Sequence, residues 1–304
     1  MPAINTVLTL ADLPSPPSGK TGWPWTEETP LLPNKMPDGS ECPKISIVTP
    51  NYNYGQFIEE TIRSVLLQGY PNLEYIVIDG GSTDNSVEII KKYEPWLTYW
   101  VSEPDKGQSH AINKGFVCCT GEIMAWLNSD DCFNERILYK IASIFIQKPE
   151  TNLITCPVRR ITSKGKEITI THTPSTIFKD IFYWSYYMPQ AGVFFKKKIL
   201  DKVGYLDESL QIQMDYDFWF RFAKKTDFLN YQEIAANIKI HPEAKTTSNK
   251  YQALSQKEAL LVKLRYADEE IKNKILNELV LDRIAYNKLR NSFWIKVLIK
   301  LKLL

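Results

Sequence analysis

Asn128, Ser129, Asp130 and Asp131 are the residues of this chain best suited to chemistry: two adjacent carboxylates directly after the apolar run Ile123, Met124, Ala125, Trp126 and Leu127. A short apolar run reads as a buried strand, so the acids stand where that strand leaves its sheet. In open α/β sheets, ligands bind outside the carboxyl ends of the strands. Carboxylate oxygens are hard ligands, and Mg²⁺ or Mn²⁺ is held by one or two of them together with substrate phosphates. The competing role is local, an Asx turn or a helix cap. A second acidic pair, Asp215 and Asp217, opens the amphipathic segment carrying Phe218, Trp219 and Phe222, where the helix dipole alone would favour acids.

The elements that must position these acids alternate in type. From Lys44 onward, strand patterns at 45–49, 73–78, 99–101 and 123–127 alternate with helical spacing at 57–68, 85–93, a stretch ending near 116, and 135–147. Ser82 or Asp84 can cap the second helix. Such alternation predicts a mostly parallel α/β sheet with helices on both faces and right-handed crossovers. Four strand ends then meet at one edge, bringing Thr49, Pro50, Asn51 and Tyr52, Asp79 with Ser82, the 102–107 loop, and Asn128 to Asp131. An aromatic ring to stack on a base, a carboxylate for base or ribose, and metal-binding acids suit a nucleoside diphosphate. Neither Gly-x-Gly-x-x-Gly nor Gly-x-x-x-x-Gly-Lys-Ser/Thr is present, so the phosphates are expected to be neutralised by metal and not by a P-loop.

Past residue 150 the pattern loosens. Strands are expected at 153–157 and 192–196 and short helices at 197–203 and 216–224, with 231–240 returning to the sheet. Residues 1–43 are dense in proline and read as an extended arm, either mobile or laid across the domain, with Trp23 and Trp25 favouring partial docking. Residues 251–304 read as a helical extension. Beyond Asp282 it carries Arg283, Lys288, Arg290, Lys296, Lys300 and Lys302 interleaved with apolar residues and no acids. Such a tail can lie on an anionic membrane surface, or pack on the domain or on a partner subunit.

Composition bounds the rest. At 304 residues, 44% apolar and 24% charged, the chain suits one large soluble domain with appendages. A formal charge of +2 gives no reason to expect nucleic acid. Five cysteines, odd in number and without metal-ligand spacing, point to a reduced compartment, with Cys118 and Cys119 as core filler. No secretory signal is visible and no apolar run approaches ~18 residues. A cytoplasmic protein is expected, peripheral at most on the inner face of a membrane.

The ordered set of motifs resembles glycosyltransferase family 2. The matching stretches are Ile47 to Asn53 (IVTPNYN), Ile78 to Asp84 (IDGGSTD), Ser102 to Gln108 (SEPDKGQ), Ala111 to Gly115 (AINKG) and Leu127 to Asp131 (LNSDD). Met188 to Gln190 (MPQ), Val203 to Asp207 (VGYLD), Asp215 to Arg221 (DYDFWFR) and His241 with Pro242 follow. The resemblance covers about 44–245 and implies a GT-A fold, a nucleotide-sugar donor and inversion at the anomeric carbon. It further implies a nucleotide-sugar-binding half at 44–150 and an acceptor-binding half at 151–250. Thr49, Pro50 and Tyr52 would border the base, Asp79 would contact base or ribose, and Gln108 and Asn113 would face the donor. Asn128 and Ser129 would lie on the donor beside Asp130, the principal metal ligand, with Asp131 next to it and His241 as a further metal or phosphate contact. Asp215 would be the catalytic base, with Asp217 the fallback. The chain departs from the family pattern at Asn128 and His110, positions where many members have Asp.

The function expected on this resemblance is a Mn²⁺- or Mg²⁺-dependent inverting transfer, with a UDP-sugar favoured, to a glycan or lipid-linked acceptor in polysaccharide or glycoconjugate synthesis. Oligomerisation is left open. The rivals are a sugar nucleotidyltransferase, which would need a Gly-rich basic loop after its first strand, and a non-catalytic nucleotide-sugar-binding protein. Aromatics Phe182, Tyr183, Trp184, Tyr186 and Tyr187 can stack on an acceptor or fill a core.

Overall fold

The computed structural model describes residues 7–30, 32–172, 188–245, 249–269, 272–273, 277 and 281. The chain divides into two compact units, 1–258 and 259–304. The basic tail at 283–304 and the aromatic cluster at 182–187 lie outside the described residues.

The first unit is built as expected from alternating elements: β1 (Ile45–Asn51), α1 (Ile58–Leu66), β2 (Leu73–Asp79), α2 (Ser86–Tyr93), β3 (Tyr99–Ser102), α3 (Gln108–Cys118) and β4 (Ile123–Trp126). Then come β5 (Cys132–Phe133), α4 (Ile137–Gln147), β6 (Leu153–Thr155), β7 (Val158–Thr162), β8 (Glu167–Thr171) and β9 (Val193–Lys196). Helices α5 (Lys197–Val203) and α6 (Met214–Ala223) and strands β10 (Leu229–Asn230) and β11 (Ala236–Ile240) follow, and helix α7 (Asn249–Tyr266) begins in this unit and ends in the second. The described residues form a seven-stranded sheet ordered β10-β6-β9-β4-β1-β2-β3. Strands β4, β1, β2 and β3 run parallel, and β9 runs antiparallel to both β4 and β6. Every residue of β1, β2 and β4 is buried, as a parallel sheet covered on both faces requires.

Close helix–sheet approach depends on one small residue. A Cβ on Gly115 of α3 would meet Val48 Cγ1 at 2.3 Å, so only glycine lets α3 lie this near β1.

One expected strand goes elsewhere. Instead of returning to the main sheet, β11 joins a second sheet ordered β5-β11-β7-β8. It pairs antiparallel with β5, just after the acidic loop, and parallel with β7. Chain order does not decide which sheet a strand edge completes, and the short β5 supplies the edge here. The arm is docked. Arg63 on α1 is fully buried, and its guanidinium donates to the carbonyls of Pro14 (2.7 Å), Pro24 (3.0 Å) and Trp25 (3.1 Å) and to the Tyr93 hydroxyl (3.1 Å). The Trp23 indole Nε1 donates to the Phe133 carbonyl at 2.7 Å. All five thiols are free, and Cys118 is exposed, so the core-filler reading holds for Cys119 alone.

Candidate active site

The ends of β1, β2, β3 and β4 open onto a cavity of about 680 Å³, within the usual range of small-molecule sites. Its lining includes Pro50, Tyr52, Gln108, Asn128, Ser129, Asp130, Asp131 and Asp215. Tyr52 is 57% exposed at the rim, where a ring has a free face for stacking. Beneath it, Gly80 is needed for space, because a Cβ there would meet Asp105 Oδ2 at 2.5 Å.

Three expected contacts turn away from the cavity. The Thr49 hydroxyl pairs with the Tyr75 hydroxyl at 3.0 Å, inside the sheet. Asp79 is fully buried and its carboxylate is saturated by the chain itself. The register that pairs Asn51 with Asp79 puts Asn51 Nδ2 2.7 Å from Asp79 Oδ1, and Ser82 Oγ donates to the same oxygen at 2.6 Å. Asp79 Oδ2 accepts from Gly81 N (3.1 Å), Ser82 N (2.9 Å) and Ser102 Oγ (2.6 Å). This carboxylate therefore shapes the loops that frame the Tyr52 end of the cavity. Asn113 fastens the 206–208 segment to α3: its Nδ2 donates to Leu206 O and Glu208 Oε1, both at 3.0 Å, and its Oδ1 accepts from Leu206 N at 3.0 Å.

The acidic loop is held from three sides. Thr61 Oγ1 on α1 donates to the Asp131 carbonyl at 2.7 Å. His241, just past β11, brings its Nε2 to 3.0 Å from Asp130 Oδ2. Gln108 Nε2 donates to Asn128 Oδ1 at 2.8 Å. The Asp131 carboxyl is buried beside Asp130, and burial first, then that neighbour, pushes its pKa well above the ordinary range. Lys239 lies near enough to oppose the shift, while its ammonium pairs with Glu60 Oε1 at 2.8 Å. Hydrogen bonding to Asp130 raises the His241 pKa, against the opposing effect of burial.

The donor set at this loop suits a hard divalent cation: an Asp130 oxygen and a His241 nitrogen meet there, with the Asp131 carboxyl adjacent. Among the described residues no cluster of three or more His, Cys, Asp or Glu side chains forms a metal cage. A Mg²⁺ or Mn²⁺ site completed by water and phosphate needs none.

Asp215 lies on the first turn of α6, half-buried and lining the same cavity. Burial pushes its carboxyl up to about 6, although the Tyr216 backbone N–H at 2.8 Å works against the shift. Glu258 on α7 sets this helix start by accepting the backbone N–H groups of Gln211 (2.9 Å), Ile212 (2.8 Å) and Gln213 (3.0 Å). The fallback acid is elsewhere: Asp217 is 1% exposed, and its Oδ2 pairs with Arg221 Nε at 2.9 Å. Sequence reasoning missed Gln190, Glu258 and Lys245. Of the buried atoms without a protein partner, Asn51 Oδ1, Gln190 Oε1 and Trp126 Nε1 all belong to residues lining the cavity. Gln190 lies within the Met188 to Gln190 stretch, but nothing local marks which of its atoms stays unmatched.

Comparison with known proteins agrees with this architecture. The description "Glycosyl transferase family 2" matches residues 46–206, more than half of the chain. The chain belongs to glycosyltransferase family 2. An uncharacterized glycosyltransferase of Nostoc sp. is 28% identical over 256 residues, 80% of this chain and 77% of the relative. One from Rickettsia typhi is 27% identical over 232 residues, 74% and 72% of the two chains. A putative teichuronic acid biosynthesis glycosyltransferase of Bacillus subtilis is 33% identical over 109 residues, 35% of this chain and 43% of that protein. Among solved structures, a portion of S. aureus TarS in complex with UDP-GlcNAc superposes with a TM-score of 0.59 at 19% identity, covering 78% of this chain and 71% of that one. Against a longer TarS chain the match spans 43% of TarS. The mannosyltransferase PcManGT from Pyrobaculum calidifontis, in complex with GDP-Man and Mn²⁺, gives a TM-score of 0.58 at 17% identity, covering 80% and 69%. These structural likenesses establish the GT-A-like fold.

Proposed function

We propose that this glycosyltransferase uses a divalent cation to move one sugar, with inversion, from a nucleotide-sugar donor to a hydroxyl of a glycan or lipid-linked acceptor, in polysaccharide or glycoconjugate assembly. The observation that carries the reading is one cavity lined at once by Asp130, Asp131 and Asp215. The first two are suited to holding a metal–diphosphate, and the third to accepting a proton. Structural neighbours hold UDP-GlcNAc or GDP-Man, which supports a nucleotide sugar; a UDP-sugar is favoured on the family resemblance alone.

In this reading Asp130 and His241, with the adjacent Asp131, would hold Mn²⁺ or Mg²⁺, and the bound cation would supply Lewis-acid stabilisation of the departing diphosphate. Tyr52 stacks on the base, and Asn51 Oδ1 and Gln190 Oε1 accept hydroxyl hydrogens of the donor. Asp215 removes the acceptor hydroxyl proton, a contribution of typically ~10²–10⁴-fold. With the acceptor oxygen attacking directly, a single displacement inverts the anomeric centre and needs no covalent intermediate. Peripheral membrane attachment through 283–304 belongs to the same proposal. Deleting that segment should move the protein from the membrane fraction to the supernatant, and an unchanged partition would remove this element.

The test is a thermal-shift screen of nucleotide sugars with and without Mn²⁺, since a ligand that binds the folded state raises its melting temperature. Acceptor-dependent release of nucleoside diphosphate is then assayed. Asp130→Ala and Asp215→Asn should each lower release sharply, the latter by ~10²–10⁴-fold, while remaining folded. Pyrophosphate as the product would establish a nucleotidyltransferase, and donor binding without turnover a binding protein.

A further inference from the structure

We propose that Lys245 is a ligand of the donor diphosphate, placing a positive charge in the cavity beside the loop that carries Asp130 and Asp131. The inference rests on the donor reading of the cavity given above.

Lys245 lines the cavity together with Asp105, Gln108, Asn128 and Asp130. Its Nζ donates to Gln108 Oε1 at 3.0 Å, and Gln108 Nε2 donates to Asn128 Oδ1 at 2.8 Å. A hydrogen-bonded chain therefore runs from an ammonium through one amide to another, ending on the loop that carries Asp130 and Asp131. The chain also sets polarity. With Gln108 oxygen taken by the lysine and its nitrogen by residue 128, the Asn128 oxygen is the acceptor at that point. An Asp at 128 would make three carboxylates within four residues; Asn leaves two, and Lys245 adds a cation beside them.

The two lysines lining the cavity are not equivalent. Lys239 is committed, its ammonium 2.8 Å from Glu60 Oε1 and close to Asp131. Lys245 has a neutral amide as partner, and among the described residues no carboxylate lies within ion-pair distance of it. Asp105, Glu258 and Asp130 act on it only from further away, and they oppose the burial that lowers its pKa. A partly desolvated ammonium without a direct counter-ion is matched by an anion delivered into the cavity. A flexible lysine can follow such an anion as a point charge.

The test uses the full chain and four probes: UDP, GDP, uridine and guanosine, titrated calorimetrically in the presence of Mn²⁺. Lys245→Met should weaken binding of the preferred nucleoside diphosphate by roughly ten- to a hundredfold, the range spanned by a hydrogen bond to a charged group. Binding of the matching nucleoside should be unchanged, which also certifies the fold of the variant. Lys245→Arg should recover most of the diphosphate affinity. Equal diphosphate affinity in wild type and Lys245→Met would overturn the inference, and so would an equal loss for the nucleoside, since Lys245 would then merely orient Gln108. Those results leave the donor reading standing. A wild-type chain that bound neither diphosphate would instead overturn the donor reading, and this inference with it.

Discussion

His241 Nε2 lies 3.0 Å from Asp130 Oδ2, joining the loop after β11 to an acid 111 residues earlier in the chain. The imidazole is flanked by the rings of Phe57 and Tyr54, with centroids at 4.5 and 5.7 Å, and its Nδ1 lies 3.3 Å from Glu243 Oε2. Its orientation is therefore set before any ligand arrives. Loss of a metal ligand or of its orienting partner costs about 10–100-fold in metal affinity or activity. His241→Ala is expected to raise the Mn²⁺ concentration for half-maximal nucleoside diphosphate release by that factor. An unchanged Mn²⁺ requirement would remove His241 from the metal site.

A base at Asp215 must be ionised to act. With its carboxyl pushed up to about 6, kcat/KM should rise through about pH 6 and level off above it. Asp215→Asn should lower turnover by ~10²–10⁴-fold and erase that acid limb. The stability consequence has the opposite sense. A raised carboxyl pKa means that the folded state holds the proton more tightly than the unfolded chain. The wild type therefore loses stability as pH rises from about 4 to about 6, a loss that Asp215→Asn escapes. Melting temperatures measured across that window should diverge in favour of the variant, and parallel curves would contradict the burial argument.

Asp217 offers the complementary control. Its carboxylate is buried against Arg221 on the same helix, and Arg221 Nη1 donates to the Val203 carbonyl at 2.6 Å. Asp217→Asn should lower the melting temperature while the folded fraction keeps a kcat within a few-fold of wild type. A kcat loss as deep as that of Asp215→Asn would reassign the base.

Arg63 makes the arm part of the enzyme domain. Its guanidinium holds three arm carbonyls, and the arm in turn reaches Phe133, two residues past the acid pair. Arg63→Ala leaves those buried carbonyls unmatched and opens a cavity under Trp25. We expect a loss of about 3–5 kcal/mol, in the range for breaking a buried polar network, read by urea unfolding. A loss below about 1 kcal/mol would mean that the arm docks without it.

The amino-acid sequence by itself determined the alternation of strands and helices from β1 to α4, and the placement of Tyr52, Asn128 and the Asp130–Asp131 pair at strand ends. Periodicity and turn chemistry are local, so both can be read within a dozen residues. Tertiary structure alone decided which polar side chains face the cavity. Thr49, Asp79 and Asn113 carry the right chemistry but find partners inside the protein, at Tyr75, at Ser82 with Ser102, and at Leu206. It also decided that β11 completes the second sheet, which carries His241 and Lys245 to the acid loop from more than a hundred residues away. A buried donor or acceptor bonds whatever neighbour the packing brings to it, and that neighbour is not encoded by spacing along the chain.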